Sequence, residues 1–136
     1  MDLAAARVFV QSNHRGTLLT YKRDGSAQMS PNVANVGPDG RIWVSSRETA
    51  YKVKNILRDP RVSWMGVNDA FYGEWIQVDG RAEVIHLPVA LEKLVWYFRS
   101  ISGEHPDWDD YRAAMVREQR VIIAITPERA GPDRKG

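Results

Sequence analysis

The strongest chemical signal in this sequence is a close spacing of hydroxyl and amine side chains. Ser45 and Ser46 stand at the end of a β-rich segment, and Lys52 and Lys54 follow where helical spacing begins. A helix N-terminus presents free backbone N–H groups, and nearby lysines add positive charge, so this arrangement can hold a phosphate. Alternatively, Lys52 forms an i,i+4 pair with Glu48 on a solvated helix. Both interpretations stay open at this point.

Other catalytic and metal-binding patterns are missing from the sequence. The chain has no cysteine, which excludes disulfides, thiolate ligands and a cysteine nucleophile. His14, His86 and His105 have no spacing that would place two of them on one helix face, so we expect no metal site. There is neither a Gly-x-Ser-x-Gly turn nor a glycine-rich phosphate loop, which argues against a hydrolase or a Rossmann enzyme.

The composition is that of one globular domain. The 136 residues are 43% hydrophobic and 26% charged, and their net charge of +2 is too small to indicate a nucleic-acid partner. The sequence has no run of eighteen apolar residues, and an acid at Asp2 replaces the basic start of a signal peptide. We therefore expect a cytoplasmic protein without membrane insertion.

The elements that must position the polar side chains are mostly strands. The clearest strand covers residues 76–84, where apolar and polar residues alternate strictly. Hairpin-connected strands favour a small antiparallel barrel over a doubly wound parallel sheet. We expect one domain over 1–126 and a loosely ordered tail over 127–136. The spacing predicts strands at 16–21, 27–36, 41–45, 61–67, 76–84 and 120–126, and helices at 2–13, 48–58, 88–101 and 107–117.

Several segments resemble one known family. They read TYKRDG (20–25) followed by QMS (28–30), KVKNILRDPR (52–61), VDGRA (78–82) and GEHPDWDDYR (103–112). Over residues 16–126 the chain resembles the pyridoxamine 5′-phosphate oxidase-like split barrels. It is most similar to the F420-dependent flavin/deazaflavin oxidoreductases of actinobacteria, group B type, because the last segment is specific to that subgroup.

The resemblance implies a mainly β fold, a six-stranded antiparallel split β-barrel of the FMN-binding type, which forms a homodimer with the cofactor clefts across its interface. It implies an enzyme that transfers a hydride from reduced coenzyme F420 to a small conjugated acceptor such as a quinone, tetrapyrrole or lactone. No catalytic side chain is expected, because the hydride chemistry belongs to the cofactor. Carried over by position, the cofactor-binding residues are Lys52, Lys54, Ser45, Ser46, Gln28, Met29, Ser30, Asn32, Asn55 and Trp75.

Two alternatives remain open at this point. One is an FMN-dependent or pyridoxine-phosphate oxidase of the same fold, and the other is a non-catalytic module that binds a flavin or haem. Lys52, Lys54 and Arg58 near one helix face favour the longer, polyglutamylated F420 over FMN. A dimer is also expected because Ile76, Val78 and the apolar stripe over 87–101 exceed what one small barrel needs.

Overall fold

The computed structural model of the protein describes residues 1–70 and 72–132. Four helices and six strands make up this part of the chain. In chain order they are α1 (Leu3–Ser12), β1 (Arg15–Tyr21), β2 (Ala27–Val36), β3 (Ile42–Arg47), α2 (Tyr51–Arg58), β4 (Arg61–Val67), β5 (Trp75–Ile85), α3 (Ala90–Ser102), α4 (Trp108–Arg117) and β6 (Arg120–Gly131).

The six strands form one closed barrel in which every neighbouring pair is antiparallel. Their order around the barrel is β1-β2-β3-β6-β5-β4, so β6 lies between β3 and β5, and β4 closes the barrel on β1. This architecture confirms the predicted six-stranded antiparallel barrel with peripheral helices. None of the helices in the described residues is long and apolar enough to cross a membrane.

The barrel interior is filled by apolar side chains around a central tryptophan. Trp64 on β4 is fully buried, and its indole lies against Gly16 on the neighbouring strand β1 and Gly66 on β4 itself. A Cβ atom on Gly16 would lie only 2.4 Å from the Trp64 ring, so the ring can occupy this position only because residue 16 has no side chain. The helix α1 contributes Ala6 and Val10 to the same core.

A second apolar layer lies between the barrel wall and the helices α3 and α4. The run Val121–Ile125 of β6 serves both layers, because alternate side chains point into the barrel and toward the helices. Ile76 and Val78 are buried inside the barrel, and Leu94 of α3 is buried in the outer layer. These residues are therefore buried within a single chain. They do not supply the surplus apolar surface that the sequence predicted for a dimer.

The helix α2 begins three residues later than the sequence spacing predicted. The N–H of Glu48 donates to the carbonyl of Gln119 at 2.9 Å, which holds residue 48 beside β6 instead of in the helix. Its carboxylate contacts Nδ1 of His86 at 3.0 Å. The i,i+4 pair between Glu48 and Lys52, which was the alternative interpretation of Lys52, is consequently not formed.

The last strand is longer than expected. We placed the end of β6 at Thr126 and a loosely ordered tail over 127–136, but β6 continues to Gly131 and pairs with β5 as far as Gln77. A register shift beside Gly80 lets the strand continue past Pro127, which has no N–H to give to a regular ladder. The last four residues of the predicted tail lie outside the described residues.

Candidate functional site

The barrel has its shortest ladder between β2 and β3. Only Ala34–Val36 of β2 pair with Ile42–Val44 of β3, whereas β2 pairs with β1 from Ala27 to Val33. Beyond these three pairs the strands separate, and the opening lies between the first half of β2 and the connection from β3 to α2. We call this opening the β2–β3 cleft and define it by residues 28–32, Ser45, Ser46 and Lys52.

Lys52 is a half-buried cation at the edge of this cleft. Within residues 1–70 and 72–132 its ammonium group makes no ion pair, although Arg120 lies close enough to repel it. Burial, and secondarily the charge of Arg120, lower the pKa of Lys52 below its usual 10.5. Arg120 itself is bonded to Glu118 at 3.0 Å. Lys52 and Arg120 are neighbouring cations, and within the described residues Lys52 has no carboxylate of its own. This end of the cleft is therefore suited to an anion.

Ser45 and Ser46 lie on opposite faces of β3, as successive strand residues must. Ser46 is buried, and its hydroxyl donates to the carbonyl of Arg47 at 3.1 Å. Ser45 is half-buried on the face that carries Trp43, beneath α3. The structure therefore brings both serines to the end of β3 but does not turn both hydroxyls toward one ligand.

The predicted β2 residues also divide between two faces. Gln28, Ser30 and Asn32 share the half-buried inner face, whereas Met29 points outward and is 67% exposed. The amide oxygen of Asn32 accepts a hydrogen bond from the indole N–H of buried Trp64 at 2.8 Å, so Asn32 also anchors the core. Gln28 and Ser30 are the inner-face side chains available to line the cleft.

Asn55 is buried between α2 and the β1–β2 hairpin. Its amide nitrogen donates to the hydroxyl of Thr20 and to the amide oxygen of Gln28, both at 3.1 Å, and its oxygen accepts from Arg58 at 3.2 Å. Both kinds of polar atom in this side chain are thus engaged by the protein itself. Asn55 positions α2 against the wall of the cleft.

The expected basic groove along α2 is not assembled. Lys54 is exposed, with its ammonium group 5.7 Å from the centre of the Tyr51 ring. The guanidinium of Arg58 donates to the backbone carbonyl of Tyr21 at 2.6 Å. Of the three basic residues considered for a long anionic ligand, only Lys52 lies at the cleft edge.

Trp75 lies on the outer face of the sheet at the start of β5. Its register partner Val67 belongs to β4, and β1 separates β4 from β2. Three strand spacings of about 4.8 Å put β5 roughly 14 Å from β2 along the sheet. Trp75 and Met29 therefore share a face but cannot line one pocket within a single chain.

Tyr97 and Arg120 are two residues at the cleft that our sequence analysis did not single out. Tyr97 lies on α3, and its hydroxyl contacts the backbone of β2. Arg120 also lines a cavity of about 270 Å³ together with Glu48 and His86. No local pattern signals either residue, because each reaches the cleft from an element distant in sequence.

Comparison with known proteins identifies the family. A model of the pyridoxamine 5′-phosphate oxidase family matches residues 3–132, and the chain therefore belongs to this family. Conserved hypothetical protein Rv2991 of Mycobacterium tuberculosis has a similar structure, with 28% identity, a TM-score of 0.77, and 96% of this chain and 82% of that chain covered.

Two more distant structures share the fold. One is an F420 reductase, at 19% identity and a TM-score of 0.71, with 92% of this chain and 94% of that chain covered. The other is a proposed pyridoxamine 5′-phosphate oxidase from Listeria innocua, at 15% identity and a TM-score of 0.67, with 95% of each chain covered. At such identities the likeness establishes the barrel architecture alone.

Proposed function

We propose that this protein is a cytoplasmic oxidoreductase that binds reduced coenzyme F420 in the β2–β3 cleft and reduces a small conjugated acceptor of the quinone, tetrapyrrole or lactone type. The observation that carries the proposal is the environment of Lys52. A half-buried ammonium group beside a second cation is unfavourable by itself, and an anionic group of a ligand would offset both desolvation and repulsion. Family membership and the F420 reductase with the same fold support this proposal.

The residues at the cleft fit the binding of such a cofactor. Lys52 would hold an anionic group, and Gln28 and Ser30 would offer polar contacts to a planar ring from the inner face of β2. When bound, the deazaflavin supplies the hydride. The protein's own task is then to bind, orient and exclude water.

FMN is the second candidate cofactor, and a specific observation favours it. The polyglutamate chain of F420 needs cations beyond the first anionic group, yet Lys54 is exposed and Arg58 is bonded to a backbone carbonyl. FMN ends in a single phosphate, which needs fewer cations and which Lys52 is placed to meet. Parallel titrations with the two cofactors decide between them.

The test compares Lys52→Met with Lys54→Met. Both variants remove one lysine charge from α2, but only the first removes the cation at the cleft. Lys52→Met should weaken binding of the preferred cofactor about ten- to a hundred-fold, whereas Lys54→Met should change it by less than about three-fold. Binding by Lys52→Met should also depend less on salt, because a screened attraction has been lost.

The measurement is tryptophan fluorescence quenching by F420 and by FMN at two ionic strengths. It should be accompanied by a melting curve for each variant. Equal affinities for wild type and Lys52→Met would overturn the assignment of Lys52. Absence of binding for either cofactor to the wild type would overturn the proposed function.

We also propose that the protein is a homodimer in which the outer sheet face of one chain meets its partner. Apolar side chains are exposed on this face across neighbouring strands, namely Met29 at 67%, Met65 at 41%, Val33 at 39% and Trp75 at 38%. Such an arrangement would let Trp75 of one chain approach the cleft of the other, which it cannot do within its own chain.

Sedimentation velocity at micromolar concentration tests the dimer. The expected species has twice the chain mass of 15.5 kDa. Met65→Lys, which places a charge in the middle of the outer face, should shift the protein to the single-chain mass while it stays folded. A wild-type protein that sediments only at 15.5 kDa would contradict the proposal.

A further inference from the structure

The point where β2 and β3 separate is occupied by a tyrosine hydroxyl. The backbone N–H and C=O groups of Ala34 face His14, the residue just before β1. The N–H of Ala34 donates to the carbonyl of His14 at 2.7 Å. Since the backbone groups of successive strand residues alternate in direction, those of Val33 face β3. Ala34 pairs with Val44. If the ladder continued in the same register, the next pair would be Val33 with Ser45.

The hydroxyl of Tyr97 stands in place of that missing pair. It donates to the carbonyl oxygen of Val33 at 2.5 Å. The backbone N–H of Ser45 lies close enough to the same oxygen to lower the pKa of the phenol. One side-chain oxygen thus bonds to a carbonyl on β2 and lies beside an N–H on β3. In a regular ladder these two backbone groups would bond to each other.

A neighbouring contact fixes the position of Tyr97. Ser100, almost one helical turn further along α3, donates its hydroxyl hydrogen to the carbonyl of Tyr97 at 2.9 Å. The same hydroxyl accepts a hydrogen bond from the buried side chain of Asn35 at 3.0 Å. The helix α3 is therefore tied to β2 at two successive outward-facing residues, through the backbone carbonyl of Val33 and the side chain of Asn35.

Burial raises the pKa of Tyr97, while the Ser45 N–H and the charge of Arg120 act in the opposite direction. The phenol therefore stays neutral at physiological pH and can serve as a donor to Val33. This donor lies where the β2–β3 ladder stops, at the inner end of the β2–β3 cleft.

We propose that Tyr97 is a positioning residue that holds β2 and β3 apart at Val33 and Ser45 and thereby sets the width of the β2–β3 cleft. It touches the backbone of both walls and need not touch the ligand. The part of this inference that concerns cofactor affinity rests on the proposed function. The part that concerns the separation of the strands does not.

The test is Tyr97→Phe, with Tyr111→Phe as the matched control. The hydroxyl of Tyr111 donates to the carbonyl of Leu94 at 2.9 Å, in the layer between α3 and α4 and away from β2 and β3. Each variant removes one phenol hydroxyl that is bonded to a backbone carbonyl. Only Tyr97→Phe removes it from the cleft.

The first measurement is hydrogen exchange of the Ser45 amide in the protein without cofactor. In Tyr97→Phe the oxygen beside the Ser45 N–H is lost, so the amide should exchange about ten-fold faster than in wild type. In Tyr111→Phe its rate should change no more than that of other amides in β3. Unchanged protection in Tyr97→Phe, or equal acceleration in both variants, would overturn the role of Tyr97.

The second measurement is cofactor affinity, with F420 and FMN as probes. Tyr97→Phe should raise the dissociation constant about three- to ten-fold. Its salt dependence should stay unchanged, in contrast to that of Lys52→Met. Tyr111→Phe should leave the dissociation constant unchanged. Equal affinities for wild type and Tyr97→Phe would overturn the role in cofactor binding. If the wild type binds neither probe, the proposed function fails, and the Ser45 exchange rate alone then decides whether Tyr97 holds the strands apart.

Discussion

The two sides of the barrel differ in what joins their strands. On the closed side, β5 and β6 pair from Gln77 with Gly131 to Ile85 with Ile122, and the side chains of β6 are buried on both faces over residues 121–125. On the open side, β2 and β3 share three residue pairs, and polar side chains make the remaining connections.

This difference separates the residues that build the fold from those available for a ligand. On the closed side nearly all backbone groups are paired in the ladder, and the apolar side chains fill two core layers. On the open side, single side chains bond to the strands: Asn55 donates to the hydroxyl of Thr20, and Tyr97 donates to the carbonyl of Val33. Lys52 has no acidic partner in the described residues. The side chains available to bind a ligand thus lie where the regular pairing of β2 with β3 stops.

The largest expected effect on stability is on the closed side. A chain that ends at residue 126 should lose about 2–4 kcal/mol of unfolding free energy relative to one that ends at residue 132, because several ladder bonds to β5 are removed. Urea unfolding of the two truncated proteins measures the difference. Equal unfolding free energies would mean that the last part of β6 contributes nothing to the barrel.

A smaller effect, about 1–3 kcal/mol, is expected for Asn55→Ala on the open side. The variant leaves the fully buried hydroxyl of Thr20 without its donor and removes one of the contacts between α2 and the hairpin. Unlike the truncation, it should also weaken cofactor binding, since α2 carries Lys52. In the double variant with Thr20→Val the loss of stability should be less than the sum of the single losses. Strict additivity would contradict the contact.

The smallest effect is expected for Glu48→Gln. The contact between Glu48 and His86 is largely exposed, so its loss should change the unfolding free energy by less than about 1 kcal/mol. Cofactor affinity should not change, because Glu48 does not pair with Lys52. A marked change in affinity would restore the solvated helix pair as the explanation of Lys52.

The candidate site was predictable from the sequence only in part. The motif over 52–61 and the serines at the end of β3 pointed to the connection from β3 to α2, because a strand end followed by a helix start is a local feature. The roles of Asn55 and Asn32 were not predictable, since their partners Thr20 and Trp64 lie more than thirty residues away. A sequence records an amide side chain but not whether a ligand or the core engages it.

The sequence by itself determined the strands, the helices and the antiparallel class of the barrel, because alternation, turn residues and helix caps act over a few residues. It also determined the start of α4, because Asp107, at the beginning of the predicted helix, accepts from the N–H of Asp110 as its N-cap. Only the tertiary structure decided that β6 continues past Pro127, that Glu48 bonds to His86, and that Tyr97 lies between β2 and β3. Each of these depends on which strands become neighbours in the closed barrel, and contacts between elements distant in sequence leave no periodic pattern along the chain.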